Sequence, residues 1–366
     1  MRLVLEKRAE HSTLMAVLSP VIAIGLTVFV GAIIFVVRGL DPLAALYVYF
    51  IEPVTSLWSL EELIVKAAPL VLIGVGLAVC YLANVWNIGA EGQLTAGALV
   101  GSIVPVMFHD WQSPLVLPSM LLLGAAGGMA YAAIPAVLKN RFGANEILTS
   151  LMLVYVAQLA LDWLVRGPLR DPTASLDQTR YIAESAQLPR LFPDTDLRVH
   201  IGILIALAAV VFVYWLLFRT TRGYEIRTVG ANPNVARYAG MGVARNFVIA
   251  MALSGGLAGL AGAVQQLGTN FTLKAIFATG YGFDAIAVAL LAKSHPIAIV
   301  PAALLWGALR SGASLMQVRS NMSIDLINIV QALVIMFIAA DQMIRWLYRI
   351  KRQREAEVVF TRGWGR

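Results

Sequence analysis

Thr221-Arg-Gly-Tyr-Glu-Ile-Arg-Thr-Val-Gly-Ala-Asn-Pro-Asn-Val-Ala-Arg-Tyr-Ala-Gly-Met-Gly-Val-Ala-Arg245 is the one long internal segment that is polar, basic and built for helices. It lies between two apolar runs, so its reading decides the fold. Asn232 suits an N-cap and Pro233 suits the first helical position. Asn234 to Ala239 then make one or two turns, and Gly240 closes them in a left-handed conformation. Arg222 to Val229 reads as another short helix, ending at Gly230. Two short helices joined by a rigid Gly-Ala-Asn-Pro elbow, outside the membrane but between spans, suit the docking of a soluble partner. The plainer reading of the same residues is a solvated basic loop that only sets topology.

The flanking runs fit the composition. The 366 residues are 59% hydrophobic and 13% charged, with a mean hydropathy of +0.76. A soluble domain is about a quarter charged, so this chain is expected to be an integral membrane protein. Apolar runs of about 20 residues cross a bilayer as helices. A barrel would alternate in segments of about ten, and these runs do not alternate. The net charge of +7 sits in connecting segments, which is the positive-inside bias and not a nucleic-acid patch. The single cysteine, Cys80, lies in an apolar run, which rules out an internal disulfide and argues against a Cys-based metal site. The N-terminus resembles the n-region of a signal peptide. The run Leu14 to Val37 is too long for an h-region and lacks a cleavage site, so it reads as a retained anchor.

The expected fold is all-α, a polytopic membrane helix bundle with about ten crossings. They are Leu14 to Val37, Leu60 to Leu82, Gln93 to Phe108, Leu115 to Leu138, Ile147 to Val165, His200 to Phe218, Phe247 to Leu267, Phe283 to Ala292, Pro296 to Met316 and Ile324 to Leu347. The eighth is too short for a full span and reads as a half-helix completed by irregular backbone. Between the first two, Leu40 to Trp58 reads as an outer interfacial stretch, with Tyr47, Tyr49 and Trp58 at headgroup depth. Eighteen of the 28 Lys and Arg residues fall in segments on one side, which makes that side cytoplasmic and places both termini there. The expected domains are a cytoplasmic tail 1–13, a transmembrane domain 14–348 and a basic cytoplasmic tail 349–366. Within the second lie the outer loop 166–199 and the cytoplasmic segment 219–245. The outer loop is long enough to receive a partner or to be a loose tether. Gly97 and Gly101, Gly124 and Gly128, and Gly255 and Gly259 are spaced four apart, which predicts close helix packing.

Enzyme signals are weak. There is no P-loop, no His-Glu-x-x-His and no nucleophile–base pair, so ATP, if used, binds another chain. Polar residues inside the apolar runs say more. Asn84, Asn87, Glu91 and Gln93 break a run that otherwise spans. They either line a cavity or lie buried at membrane depth, or they form a short cytoplasmic turn in which Glu91 neutralises a helix N-terminus and faces a partner. Gln265, Gln266, Asn270 and Asp284 flank the short eighth crossing near the outer face. Arg310 falls within the ninth crossing, where a charge must face the bundle interior or water, and Asp284 is its expected partner. Asn328, Gln331 and Asp341 lie on the tenth. This set reads as a polar pathway or as interhelical glue.

Asn84-Val-Trp-Asn-Ile-Gly-Ala-Glu-Gly-Gln-Leu-Thr-Ala-Gly resembles the signature of permease subunits of bacterial ABC importers for branched-chain amino acids, simple sugars and nucleosides. Val229-Gly-Ala-Asn-Pro-Asn-Val-Ala-Arg-Tyr-Ala-Gly-Met resembles the same group's cytoplasmic coupling segment. The form is most like the longer permease of the general nucleoside branch. The resemblance implies a multi-pass subunit of the bacterial inner membrane that is not itself a catalyst. It implies three kinds of protein partner: a second permease, two ATP-binding subunits and an extracytoplasmic binding lipoprotein; membrane lipid is a further expected partner, for the basic tail Lys351 to Arg366. ATP and magnesium would sit on the ATPase subunits, with no cofactor or metal on this chain and no nucleic acid. Glu225, Arg227, Gly230, Ala231, Asn232, Pro233, Arg237 and Tyr238 would lie at the ATPase contact, and Arg166 to Val199 at the binding-protein face. A nucleoside would be met by Phe271, Phe277, Tyr281 and Phe283 near Gln265 and Asn270. A simple sugar, a branched-chain amino acid and an ion-coupled secondary transporter are the alternatives.

Overall fold

The computed structural model describes residues 25, 28–37, 39–107, 115–195, 197–275, 277, 280–320, 329 and 332. The tenth expected crossing therefore lies almost wholly outside the described residues, as do Gln331 and Asp341. Among the described residues the regular structure is helical, with only two isolated bridges, Gln178 with Lys274 and Arg190 with His200. In chain order the helices are α1 Val28–Val37, α2 Pro42–Thr55, α3 Leu57–Leu82, α4 Ala90–Met107, α5 Val116–Phe142 and α6 Glu146–Arg166. Then follow α7 Gly202–Arg219, α8 Thr221–Ala231, α9 Pro233–Tyr238, α10 Val243–Gln265, α11 Tyr281–Leu291 and α12 Pro296–Ser320. Six are long and apolar enough to cross a membrane: α3, α5, α6, α7, α10 (with the turn that continues it to Asn270) and α12. The described residues fall into two compact units, the larger being Val48–Leu315. In the smaller unit α1 is closed by Gly39 at φ 73°, and Asp41 caps α2 by accepting from the Leu43 amide at 3.0 Å.

In the larger unit the helix ends follow local chemistry. Ser56 accepts from the Ser59 amide at 3.1 Å to start α3. Gly143, at φ 68°, ends α5, and Asn145 accepts from Ile147 at 2.9 Å to start α6. Trp58 is half-exposed as an interfacial residue would be, but Tyr49 is buried, because the Gly312 backbone packs against its carbonyl.

The core is a seam of α4, α5 and α10. A Cβ on Gly97 would lie 2.6 Å from the Gly259 carbonyl carbon, and one on Gly259 would lie 2.8 Å from Gly128 Cα. The spacing of four therefore does what it predicts: backbones touch where side chains are missing. The short eighth crossing is α11, 11 residues or about 16 Å long, roughly half the hydrocarbon thickness.

Gly259→Ala is expected to destabilise the fold by about 1–3 kcal/mol through overpacking, read as earlier loss of monodisperse protein on heating in detergent. At Gly256 the new methyl meets first the flexible end of Met129, at 3.3 Å, so Gly256→Ala should be near neutral. Equal losses at the two positions would refute the seam.

Candidate functional site

The segment Thr221–Arg245 forms as its caps require. Thr220 accepts from Gly223 at 3.1 Å to start α8. Asn232 accepts from Asn234 at 3.0 Å and from Val235 at 3.2 Å to start α9, with Pro233 at its first position. Gly240, at φ 79°, closes it. One expectation changes: α8 does not end at Gly230 but runs to Ala231. Gly230 is a packing glycine, because a Cβ there would strike the Leu82 carbonyl carbon at 2.8 Å.

The expected contact residues divide into two sets. Glu225 pairs with Arg222 at 3.2 Å and accepts from Asn246 at 3.1 Å, which ties α8 to α10. Arg227 lies over the Phe218 ring at 5.0 Å. These two and Gly230 hold the segment in place. Ala231, Asn232, Pro233, Arg237 and Tyr238 are exposed, Tyr238 almost completely. Tyr224 and Val235 are also exposed. Sequence reasoning passed over these two, although an aromatic and a β-branched residue on short polar helices were a usable signal. A cavity of about 530 Å³ beside them is lined by Arg222, Tyr224, Glu225, Met241 and Arg245 among others.

The Asn84–Gln93 stretch is not a solvated turn. After α3 the chain turns at Asn84, which is exposed at φ 55°, and then re-enters the bundle. Asn87 and Gln93 exchange two amide hydrogen bonds of 2.9 Å, and Asn87 also donates to Ser254 Oγ at 3.0 Å. Ser254 is about 16 Å along α10, so this irregular backbone is buried among the helices. A Cβ on Gly92 would lie 2.9 Å from Val154 Cα on α6, so no side chain fits there. Asn87 and Gln93 thus brace this stretch.

Glu91, almost fully buried, caps a helix N-terminus. It stands in the first turn of α4, and its two oxygens accept from the Gly280 amide at 2.8 Å and the Gly282 amide at 2.5 Å, at the start of α11. One turn on, Asp284 meets Arg310 at 2.6 Å, as expected. Asp284 is therefore held from the interior of α12. The Arg310 guanidinium covers the Tyr281 ring at 4.1 Å. Lys66, unnoticed in the sequence although it interrupts an apolar run, pairs with Glu62 at 2.6 Å and donates to Ser314 and to the Arg310 carbonyl.

Tyr281 forms one wall of a cavity of about 330 Å³. Gln265, Thr269, Asn270, Thr272, Lys274 and Phe277 form the rest. A π-helical turn, Gln266–Asn270, continues α10 and helps to shape it. Gln265, Asn270, Phe277 and Tyr281 thus come together as expected. Thr269, Thr272 and Lys274 were missed, though the dense polar run there was legible. Two expected residues are elsewhere. Phe271 packs on Tyr181 at 5.7 Å. Phe283 is 41% exposed, because two residues along a helix is a rotation of about 200° from Tyr281.

The segment 166–199 is not a loose tether. Thr179 donates from its amide to the Leu273 carbonyl and accepts from the Leu273 amide at its hydroxyl, both at 3.0 Å. Ile182 and Leu188 donate to Phe271 and Leu267 carbonyls at 2.9 Å. The loop is thus a strap across the connector that builds the cavity. His200, at its end, lies 3.5 Å from Thr269 Oγ1, and burial pushes its pKa down to about 4.

Residues 59–339 match the family described as branched-chain amino acid transport system / permease component. The chain belongs to this permease family. The glucose ABC transporter permease protein TsgB13 of Haloferax volcanii is 36% identical over 344 residues, 91% of this chain and 89% of that one. The guanosine ABC transporter permease protein NupP of Bacillus subtilis is 36% identical over 346 residues, 93% and 97% of the two chains. The nucleoside ABC transporter permease protein NupB of Lactococcus lactis is 31% identical over 358 residues, 95% and 97%. No solved structure matches the chain. The protein is a multi-pass membrane permease subunit of an ABC importer, a transporter component and not an enzyme.

A histidine whose folded pKa lies below its unfolded value stabilises the fold above about pH 6.5, and that contribution is lost as pH falls toward 4. His200 should therefore remove up to about 3 kcal/mol of stability between pH 7 and pH 4. Thermal unfolding of His200→Gln should be measurably less sensitive to acid than that of the parent. Identical pH profiles would contradict the burial argument.

Proposed function

We propose that this permease passes a nucleoside, delivered by an extracytoplasmic binding lipoprotein, through a bacterial inner membrane. In this reading it crosses the membrane about ten times with both termini cytoplasmic. It pairs with a second permease and with two ATP-binding subunits, which carry the ATP and magnesium. The observation that carries the reading is the cavity at the start of α11. Two aromatic side chains, Phe277 and Tyr281, offer faces to a base, the amides of Gln265 and Asn270 suit its edges, and Thr269 and Thr272 offer hydroxyls to a ribose. A free amino acid needs a carboxylate opposite its ammonium group, and no acidic residue is among those lining the cavity. Relatives named for guanosine and nucleosides support the same cargo. The exposed Arg237 and Tyr238 are the surface offered to an ATPase subunit.

A sugar is the second reading, favoured by the relative named for glucose and by the hydroxyl and amide groups in the cavity. Competition separates the two: unlabelled nucleoside, and not glucose, should block uptake of labelled nucleoside by the reconstituted complex. Phe277→Ala should raise the nucleoside KM about tenfold or more, the loss expected for one stacked base. Blockade by glucose, with Phe277→Ala silent toward nucleoside, would move the assignment to a sugar. In nanodiscs, loaded binding protein should stimulate ATP hydrolysis, and Arg237→Glu should abolish that stimulation. Full stimulation in Arg237→Glu would reduce the segment to a topological loop.

A further inference from the structure

The half-helix α11 is bounded at both ends by left-handed backbone. Gly280 stands at φ 83° before it, and Lys293 and Ser294 stand at φ 50° and 57° after it. Residues other than glycine seldom adopt that conformation, so the second boundary is a built turn. It is closed by hydrogen bonds from the Lys293 amide to the Leu290 carbonyl at 3.0 Å and from the Ser294 amide to the Ala289 carbonyl at 2.9 Å. A rod of 11 residues between two non-helical turns can move as a unit. Its upper end carries Tyr281, a wall of the cavity.

Its lower end is held by rings. The turn leads into His295, whose ring lies 5.7 Å from Phe218 at 30° and 6.1 Å from Tyr214, both near the end of α7. On Phe218 lies the guanidinium of Arg227, at 5.0 Å, from α8 of the cytoplasmic segment. Arg227 Nε is buried with no hydrogen-bond partner among the described residues, so the ring is what this group is seated on. Ring contacts therefore run from α8 through Phe218 to His295, which the turn and the hydrogen bond from its amide to the Ala292 carbonyl at 3.0 Å join to the foot of the rod.

We propose that Arg227, Phe218 and His295 transmit motion of the cytoplasmic segment to α11, and so to Tyr281. They are positioning residues, since none lines the cavity. The proposal rests on the importer reading of that segment. The competing route is direct, through the α8 backbone, which packs on the ends of α3 and α7 at Gly230 and Gly223. That route has no use for the Phe218 ring.

The test uses the whole complex with its ATPase subunits and binding protein, carrying Leu290→Cys as a reporter on the exposed side of α11. The chain's only cysteine, Cys80, is fully buried, so labelling background is low. Maleimide labelling is measured without nucleotide and after trapping with ATP and vanadate. With the rest of the chain native, trapping should change the labelling rate by about threefold or more, the size of couplings carried by packed networks. Phe218→Ala and His295→Ala should each flatten that response while ATPase subunits still co-purify and hydrolyse ATP. Phe218→Tyr, which keeps the ring, should restore it. Nucleoside imported per ATP should fall about fivefold in the alanine variants. A full trapping response in both alanine variants overturns the relay and favours the backbone route. No response in the otherwise native complex overturns the coupling role itself, and the relay with it.

Discussion

Two helix N-termini meet at one carboxylate. Glu91 lies in the first turn of α4, and its oxygens take the amides of Gly280 and Gly282 that open α11. Each helix start leaves unpaired N–H groups and a partial positive charge. Away from water such ends are costly unless an anion meets them. The close approach also fixes the residue type, since a Cβ on Gly282 would lie 2.5 Å from Glu91 Cα. The re-entrant stretch braced by Asn87, Gln93 and Ser254 delivers Glu91 to this depth. Without it, neither half of the broken path could start inside the span.

The cavity follows from the same contact. Once α11 begins at Gly280, Tyr281 faces the polar turn at the end of α10, and Asp284 falls one turn on, opposite Arg310. A buried ion pair contributes little net stability. Its effect here is register: it fixes how far α11 has turned, and the Arg310 guanidinium on the Tyr281 ring holds the wall of the cavity. Broken helices that present their ends near the middle of a transporter are a recurrent way to build a cargo site.

Much of this was legible in the residues. The apolar runs locate the long spans, and Asn232, Pro233 and Gly240 locate the two short polar helices because capping is local chemistry. Asp284 and Arg310 could be paired because opposite charges in apolar runs have few other partners. What was not legible depends on contacts remote in sequence. Asn87 finds Ser254 across 167 positions and Glu91 finds Gly280 across 189, so the stretch could equally be read as a cytoplasmic turn. The outer loop shows no periodicity, and its order comes from backbone bonds to residues 267–273 that composition does not reveal. Phe283 was misplaced because an aromatic residue two positions from Tyr281 shares its neighbourhood in sequence but not its helix face.

The most direct test of the central contact is amide hydrogen exchange at Gly280 and Gly282 in the assembled complex, compared between Glu91 and Glu91→Ala. A hydrogen bond to a charged group contributes about 1.5–3 kcal/mol. Both amides should therefore be protected in the parent and exchange about tenfold or more faster in the variant. Equal protection in the two chains would mean that α11 is held by something else, and the account of the cavity built on Glu91 would be wrong.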